Sequence, residues 1–110
     1  MGASEEFRAV LQDRGVTLRD LGVSDVALTR ADALFAVDLL RTASIPILGG
    51  DVYLRRGGGI EVAYANWHTE PRQGEERDSF ATRSRLEAGA YVSGFATSGA
   101  HPLFVLVVDG

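Results

Sequence analysis

The sequence predicts an α+β domain in which a small, mainly antiparallel sheet, made of a hairpin plus a C-terminal strand, is flanked by helices. Three observations favour this class. Apolar residues recur at helical spacing in three segments, a glycine-rich turn separates two strand-like runs, and residues 103–108 form an unbroken apolar run. The predicted order of elements is α-α-β-β-α-β. A length of 110 residues fits one domain, so residues 1–110 are assigned to a single unit.

The first helix is predicted to begin at Ser4, whose side chain can cap the free amides, and to stop at Gly15. Its apolar stripe, at positions i, i+3 and i+4, consists of Phe7, Val10 and Leu11. One further helical turn is expected over residues 17–22, where Gly22 ends it.

The second main helix is predicted to open at Thr29, because Asp32 three residues later completes a capping box in its acidic form. One face of this helix carries its apolar residues, which are Ala33, Leu34, Ala36, Val37 and Leu40. Pro46 prevents the helix from continuing, since the residue before a proline is pushed into extended geometry.

A β-hairpin is predicted next. Its first strand covers residues 47–54, the glycines at positions 57–59 permit a tight turn, and a second strand with alternating side chains ends at Trp67. Two glycines at positions 49–50 interrupt the first strand. We expect them to form a bulge that turns Asp51 outward or lets its carboxylate accept backbone N–H groups.

A long helix is predicted to start between residues 75 and 79, because apolar and small side chains recur at helical spacing over residues 80–95. Gly89 within it is expected to allow close packing against a neighbour. Residues 103–108 then fit a strand that is covered on both faces. The length of the connection lets this strand lie beside either strand of the hairpin.

The composition excludes several kinds of site. The chain has no cysteine, which excludes disulfides, thiolate zinc sites and cysteine nucleophiles. All 11 basic residues are arginine, so no lysine is present for Schiff-base chemistry or a Walker-type loop. A net charge of −4 disfavours nucleic-acid binding, and it fits either a basic protein partner or ordinary solubility.

The sequence also predicts a cytoplasmic protein with no membrane partner. No apolar run approaches the roughly 20 residues that a membrane-spanning helix needs. Residues 1–6 have neither the basic start nor the apolar stretch of a secretory signal peptide.

Catalytic motifs are missing from the sequence. No serine lies in a Gly-x-Ser-x-Gly pattern, and His68 and His101 lack the spacing of a metalloprotease. We therefore predict no enzyme, no cofactor, and no catalytic, cofactor-binding or metal-binding residues. The alternative is a small ligand-binding or hydrolytic domain with a site around Asp51, Glu61, His68 and Glu70, in which Asp51 and Glu61 could pair across the hairpin.

Trp67, the single tryptophan, allows two interpretations. It can pack in the core with its indole N–H bonded to the backbone, or it can anchor an interface, where tryptophan and tyrosine are enriched. Asp51 likewise fits either backbone N–H bonds at a bulge or a contact with a partner. Asn66, next to Trp67, fits either a turn or such a contact.

Three segments carry a family resemblance: residues 45–53 with Gly-Gly-Asp-Val-Tyr, the strand end Tyr-Ala-Asn-Trp at residues 64–67, and the apolar run at residues 103–107. Together they resemble the immunity protein 40 family of bacterial polymorphic toxin systems. The helix at residues 29–43 is similar to the family's lead-in to its first strand. One position departs from the family pattern, because His68 stands where a second aromatic residue follows the tryptophan.

The resemblance implies a function. Such proteins bind the C-terminal domain of a cognate toxin in the cytoplasm and neutralise it by direct contact, and they are not enzymes. For an inhibitor of this kind we predict an interface with an aromatic core and an acidic rim. The predicted partner-binding residues are Asp51, Tyr53, Glu61, Asn66, Trp67 and Glu70.

Overall fold

Five antiparallel strands form one sheet in the computed structural model, which describes residues 3–109, and three α-helices pack on one of its faces. The helices are α1 (Ala3–Arg14), α2 (Arg30–Leu39) and α3 (Arg77–Gly94), with short 3₁₀-helices at Arg19–Leu21 and Leu40–Ala43. The strands are β1 (Val16–Thr17), β2 (Val26–Thr29), β3 (Ile47–Arg56), β4 (Gly59–His68) and β5 (His101–Val108). The predicted α+β class is confirmed, and so is the antiparallel hairpin.

The strand order is β1-β2-β5-β3-β4, so β5 lies in the middle of the sheet and β4 at one edge. Residues 103–106 of β5 are buried on both faces, as the unbroken apolar run predicts. The sequence did not predict β1 or β2. They contain two and four residues, which is too short for alternation to be visible, and they depend on pairing with each other and with β5.

The main core lies between the sheet and the helices. Val52 of β3 and Phe104 of β5 are paired across the sheet and point into this core together with Ile47. The helices contribute Phe7, Val10, Ala33, Ala36, Leu40, Ala88 and Val92. These include most of the predicted apolar stripes, so helical spacing identified the buried faces correctly.

Polar contacts also join the helices to each other and to the sheet. Thr29 caps α2 as predicted, because its Oγ1 accepts the Asp32 N–H at 3.3 Å. The buried hydroxyl of Ser84 accepts the Ile47 N–H at 2.9 Å and so fixes α3 to the start of β3. Arg30 donates to the Phe95 carbonyl at 2.8 Å and covers the end of α3. The side chain of Ser4, the predicted cap of α1, lies outside the described residues.

A second, smaller core lies on the other side of the sheet. The segment between α1 and β2 folds over Leu103 and Val105, and it contributes the fully buried Leu18. Gly22 ends the predicted helical turn here in the left-handed conformation, at φ 74°. This segment covers only part of the sheet, because Val62 and Val107 on the same side are exposed. None of the helices in residues 3–109 has both the length and the apolar character to cross a membrane.

Candidate functional site

The uncovered part of the sheet faces away from the helices. Asp51 lies opposite Val105 on β5 and opposite Asn66 on β4. Because side chains alternate along a strand and Val52 points to the helices, Asp51 and Asn66 point the other way. We call this uncovered surface the open face, and it consists of Asp51, Val62, Tyr64, Asn66 and Val107.

An irregularity in β4 brings Tyr64 to the open face. Val52 pairs with Ala65, but the next residue, Tyr53, pairs with Val62, so two extra residues are inserted in β4 at Ala63 and Tyr64. Tyr64 has a φ of 56° and its side chain is 91% exposed. Positive φ is unusual for a non-glycine residue, and bulges at sheet edges often redirect a side chain at a functional site. The backbone therefore holds an aromatic ring in solvent.

Two shallow hollows adjoin on this surface, and Asp51 and Asn66 line both of them. The first has a volume of about 250 Å³ and is completed by Tyr53, Val62 and Tyr64. The second has a volume of about 340 Å³ and is completed on its sides by residues 48–50, 67–68 and 107. The Asp51–Asn66 pair thus separates two hollows, of which the second has mainly apolar walls and the first has polar and apolar walls in about equal parts.

The carboxylate of Asp51 is exposed and has no ion pair or hydrogen bond within residues 3–109. Burial raises the pKa of the adjacent Tyr53, and the negative charges of Asp51 and Asp25 raise that pKa further. Tyr53 is therefore a neutral phenol at physiological pH. The electrostatic result is an unpaired negative charge on the open face, with the charge of Asp25 near enough to act on the same tyrosine.

Exposed apolar side chains concentrate on the open face. Five large hydrophobic residues are exposed in the described part of the chain, and three of them lie here: Val62 at 42%, Tyr64 at 91% and Val107 at 45%. Of the other two, Phe35 lies under the guanidinium of Arg14, 5.0 Å from its ring centre, and Leu86 is on α3. Exposed apolar residues grouped around polar ones are typical of protein-binding surfaces.

The structure brings three of the predicted partner-binding residues together and separates the others. Asp51, Tyr53 and Asn66 are neighbours on the same side of the sheet. Glu61 points to the helix side, where its carboxylate binds Arg56 Nε at 2.7 Å. Partner binding by these residues stays a prediction. Sequence reasoning missed Val62, Tyr64 and Val107, since their exposure follows from the β4 irregularity and from the incomplete cover of the sheet.

Trp67 lies on the helix side of β4. Its ring stacks on Tyr91 of α3 with the ring centres 4.5 Å apart, and it covers Gly50, its partner on β3. The side chain is partly buried and also lines the second hollow, while its Nε1 has no hydrogen-bond partner among residues 3–109. Trp67 therefore packs against the helix side of the sheet, and its side chain also reaches the edge of the open face.

The loop after β4 is tied to α3 by Arg83. Its guanidinium binds Glu75 at 2.8 Å, Glu87 at 2.8 Å and the Glu70 carbonyl at 2.7 Å. The hydrogen bonds from Arg83, followed by one from the Arg72 N–H, lower the pKa of Glu75 to about 2. Glu75 therefore stays ionised at physiological pH. The side chain of Glu70, a predicted contact, remains exposed beside this fixed loop, with its Oε1 3.0 Å from His68 Nε2.

The alternative site around Asp51, Glu61, His68 and Glu70 is not assembled as a carboxylate pair. The hairpin pairs Glu61 with Leu54 rather than with Asp51, so the two carboxylates point to opposite faces of the sheet. Residues 3–109 contain no cluster of three or more histidine, cysteine or acidic residues that could hold a metal ion. Only His68 and Glu70 of the four residues are in contact.

Comparison with known proteins identifies one family. A family model described as Immunity protein 40 matches residues 17–108, which is most of the chain. The comparisons with curated proteins and with solved structures found no match.

Proposed function

Because this chain belongs to the immunity protein 40 family, we propose that it binds the C-terminal toxin domain of a cognate bacterial protein and neutralises it by direct contact. The match over residues 17–108 is the observation that carries the proposal, since it includes strands β2 to β5, α2 and α3. The proposed role is not enzymatic. We place it in the cytoplasm, where such a toxin would act on its own producer or on a neighbouring cell.

We further propose that the open face is the toxin-binding surface. Its composition supports this, because the exposed Tyr64 ring and two exposed valines lie together there, and tyrosine is enriched among the residues that dominate binding energy. The unpaired carboxylate of Asp51 beside them adds a group that can select a basic partner. Asp51 would receive an arginine or lysine of the toxin, and the two hollows would accept apolar side chains. The net charge of −4 would also speed association with a basic toxin.

The predicted contacts then take different positions in this proposed interface. Asp51, Tyr53 and Asn66 would lie at its centre, and Glu70 with His68 at its rim. Trp67 would contribute through the edge that lines the second hollow while holding β3 and β4 in place. Glu61 lies on the helix side, so its contact would require a partner that also wraps around the β4 edge. A total buried area of about 1,200–2,000 Å² would be expected for a stable complex of this type.

Co-expression tests the proposed function. The candidate toxin domain would be sought as the C-terminal domain of a large secreted protein encoded beside this gene, and it would be expressed in a sensitive host with and without this chain. We expect growth only when the chain is present, and no protection against an unrelated toxin. Equal killing with and without the chain would contradict the proposed function.

A further inference from the structure

A groove separates α2 and α3 on the side of the molecule opposite the open face. Its volume is about 410 Å³, and its apolar walls are formed by Leu34 and Val37 of α2 and by Leu86, Gly89 and Ala90 of α3. We call this the α2–α3 groove. Its lining residues extend over about two turns of each helix, from residue 34 to 41 and from 82 to 90, and it is open to solvent rather than enclosed.

Gly89 is the reason that the groove is open. The sequence predicted that this glycine would allow close packing, but a Cβ added to it would meet no atom within 4 Å. Its missing side chain therefore leaves empty space above α3. Leu86 stands one turn earlier at the rim and is 71% exposed, although nothing in the fold requires a leucine in solvent.

Two arginines give the groove a charge opposite to that of the whole protein. Arg41 is paired with Asp38 at 3.2 Å, whereas Arg85 Nη1 is buried and has no hydrogen-bond partner among residues 3–109. Burial lowers the pKa of Arg85, and the nearby charge of Arg41 lowers it further. A carboxylate in the groove would lie beside the Arg85 guanidinium and offset the repulsion between the two arginines.

We propose that the α2–α3 groove binds an amphipathic helix of a protein partner, with its apolar face in the groove and a carboxylate beside Arg85. An open groove lined by about two turns of each helix fits a helix better than a small molecule, which needs a site that encloses most of its surface. A second copy of this chain fits poorly, because a two-fold contact would place Arg41 and Arg85 of both copies together. This site goes beyond the proposed toxin inhibition, and the sheet separates it from the open face.

Two synthetic helical peptides test the proposal by titration calorimetry against the full chain. Both have about four turns with leucine at helical spacing, and the flanking positions carry either glutamate or lysine. We expect the glutamate peptide to bind at least about tenfold more tightly than the lysine peptide. Net charge alone predicts the opposite order, since the protein carries −4. The order therefore separates recognition by the groove from general electrostatic attraction.

Matched variants locate the binding site. Gly89→Leu fills the groove, whereas Gly94→Leu adds the same side chain at the end of α3, where a Cβ also meets no atom within 4 Å. We expect Gly89→Leu to lower the affinity for the glutamate peptide about tenfold or more, and Gly94→Leu to leave that affinity unchanged. Arg85→Met is expected to remove the preference for glutamate. Equal or tighter binding of the lysine peptide, binding of neither peptide, or equal effects of the two leucine variants would overturn the proposal.

Discussion

Replacing Asp51 by arginine is expected to weaken binding of the toxin domain by about 30-fold to 5,000-fold, because losing one partner of a buried charge pair costs roughly 2–5 kcal/mol. The Asp51 carboxylate has no partner in the described fold, so its charge is free to meet a cation of the toxin. The variant places a like charge at the same point. Titration calorimetry with the purified toxin domain measures the loss.

The stability of the Asp51→Arg variant separates a binding effect from a folding effect. Asp51 is exposed and unpaired, so the melting temperature should change little. Asp13→Arg is the matched control, because Asp13 is an exposed carboxylate on α1, in the helix layer on the far side of the sheet. Unchanged affinity in Asp51→Arg, or an equal loss in Asp13→Arg, would contradict the assignment of the open face.

Gly50→Ala is expected to lower the free energy of unfolding by about 3 kcal/mol and the melting temperature by roughly 10 °C. An added Cβ would collide with the Trp67 ring and with the Val105 carbonyl oxygen of the neighbouring strand. Neither the ring nor the carbonyl can move away easily. Trp67 is stacked on Tyr91, and the carbonyl belongs to the central strand of the sheet. Chemical denaturation of the variant measures the effect.

Gly58→Ala provides the control for Gly50→Ala. Gly58 lies in the hairpin turn, where an added Cβ meets no atom within 4 Å, so a change of less than about 0.5 kcal/mol is expected. Equal stability of the two variants would contradict the inference that Trp67 packs closely over β3.

The Gly-Gly-Asp run joins fold and function through the alternation of β3. Gly50 points to the helix side and makes room for Trp67, while Asp51 next to it points to the open face. Gly49 lies at the irregularity in the pairing of β3 with β5, and its φ of 151° is one that other residues rarely adopt. The expected bulge is therefore confirmed, and Asp51 is turned outward rather than bonded to the backbone.

Strong local patterns explain what could be predicted from the sequence. The helix stripes, the cap at Thr29, the hairpin turn and the buried β5 each depend on residues close together in the chain. The short strands β1 and β2 could not be predicted, because their identity depends on partners far away in sequence. The strand order could not be predicted for the same reason, since the sequence allowed β5 to pair with either strand of the hairpin.

The surface was harder to predict than the core. Alternation in β4 suggests one regular strand, but the two inserted residues change its register and expose Tyr64. Val107 belongs to the apolar run that was expected to be fully covered, and it is exposed because the segment between α1 and β2 does not reach it. For Asp51 the sequence left two alternatives, an outward-facing carboxylate or one bonded to the backbone, and the structure has the first. The apolar side chains near it become visible only in three dimensions.

Hydrogen exchange of the complex tests the central claim most directly, because it reports which side of the sheet the toxin covers. The amides of residues 62–66 and the neighbouring residues of β3 should exchange more slowly when the toxin domain is bound, while those on the outer faces of α2 and α3 should be unchanged. Slower exchange confined to the helices, with β4 unaffected, would contradict the proposed toxin-binding surface.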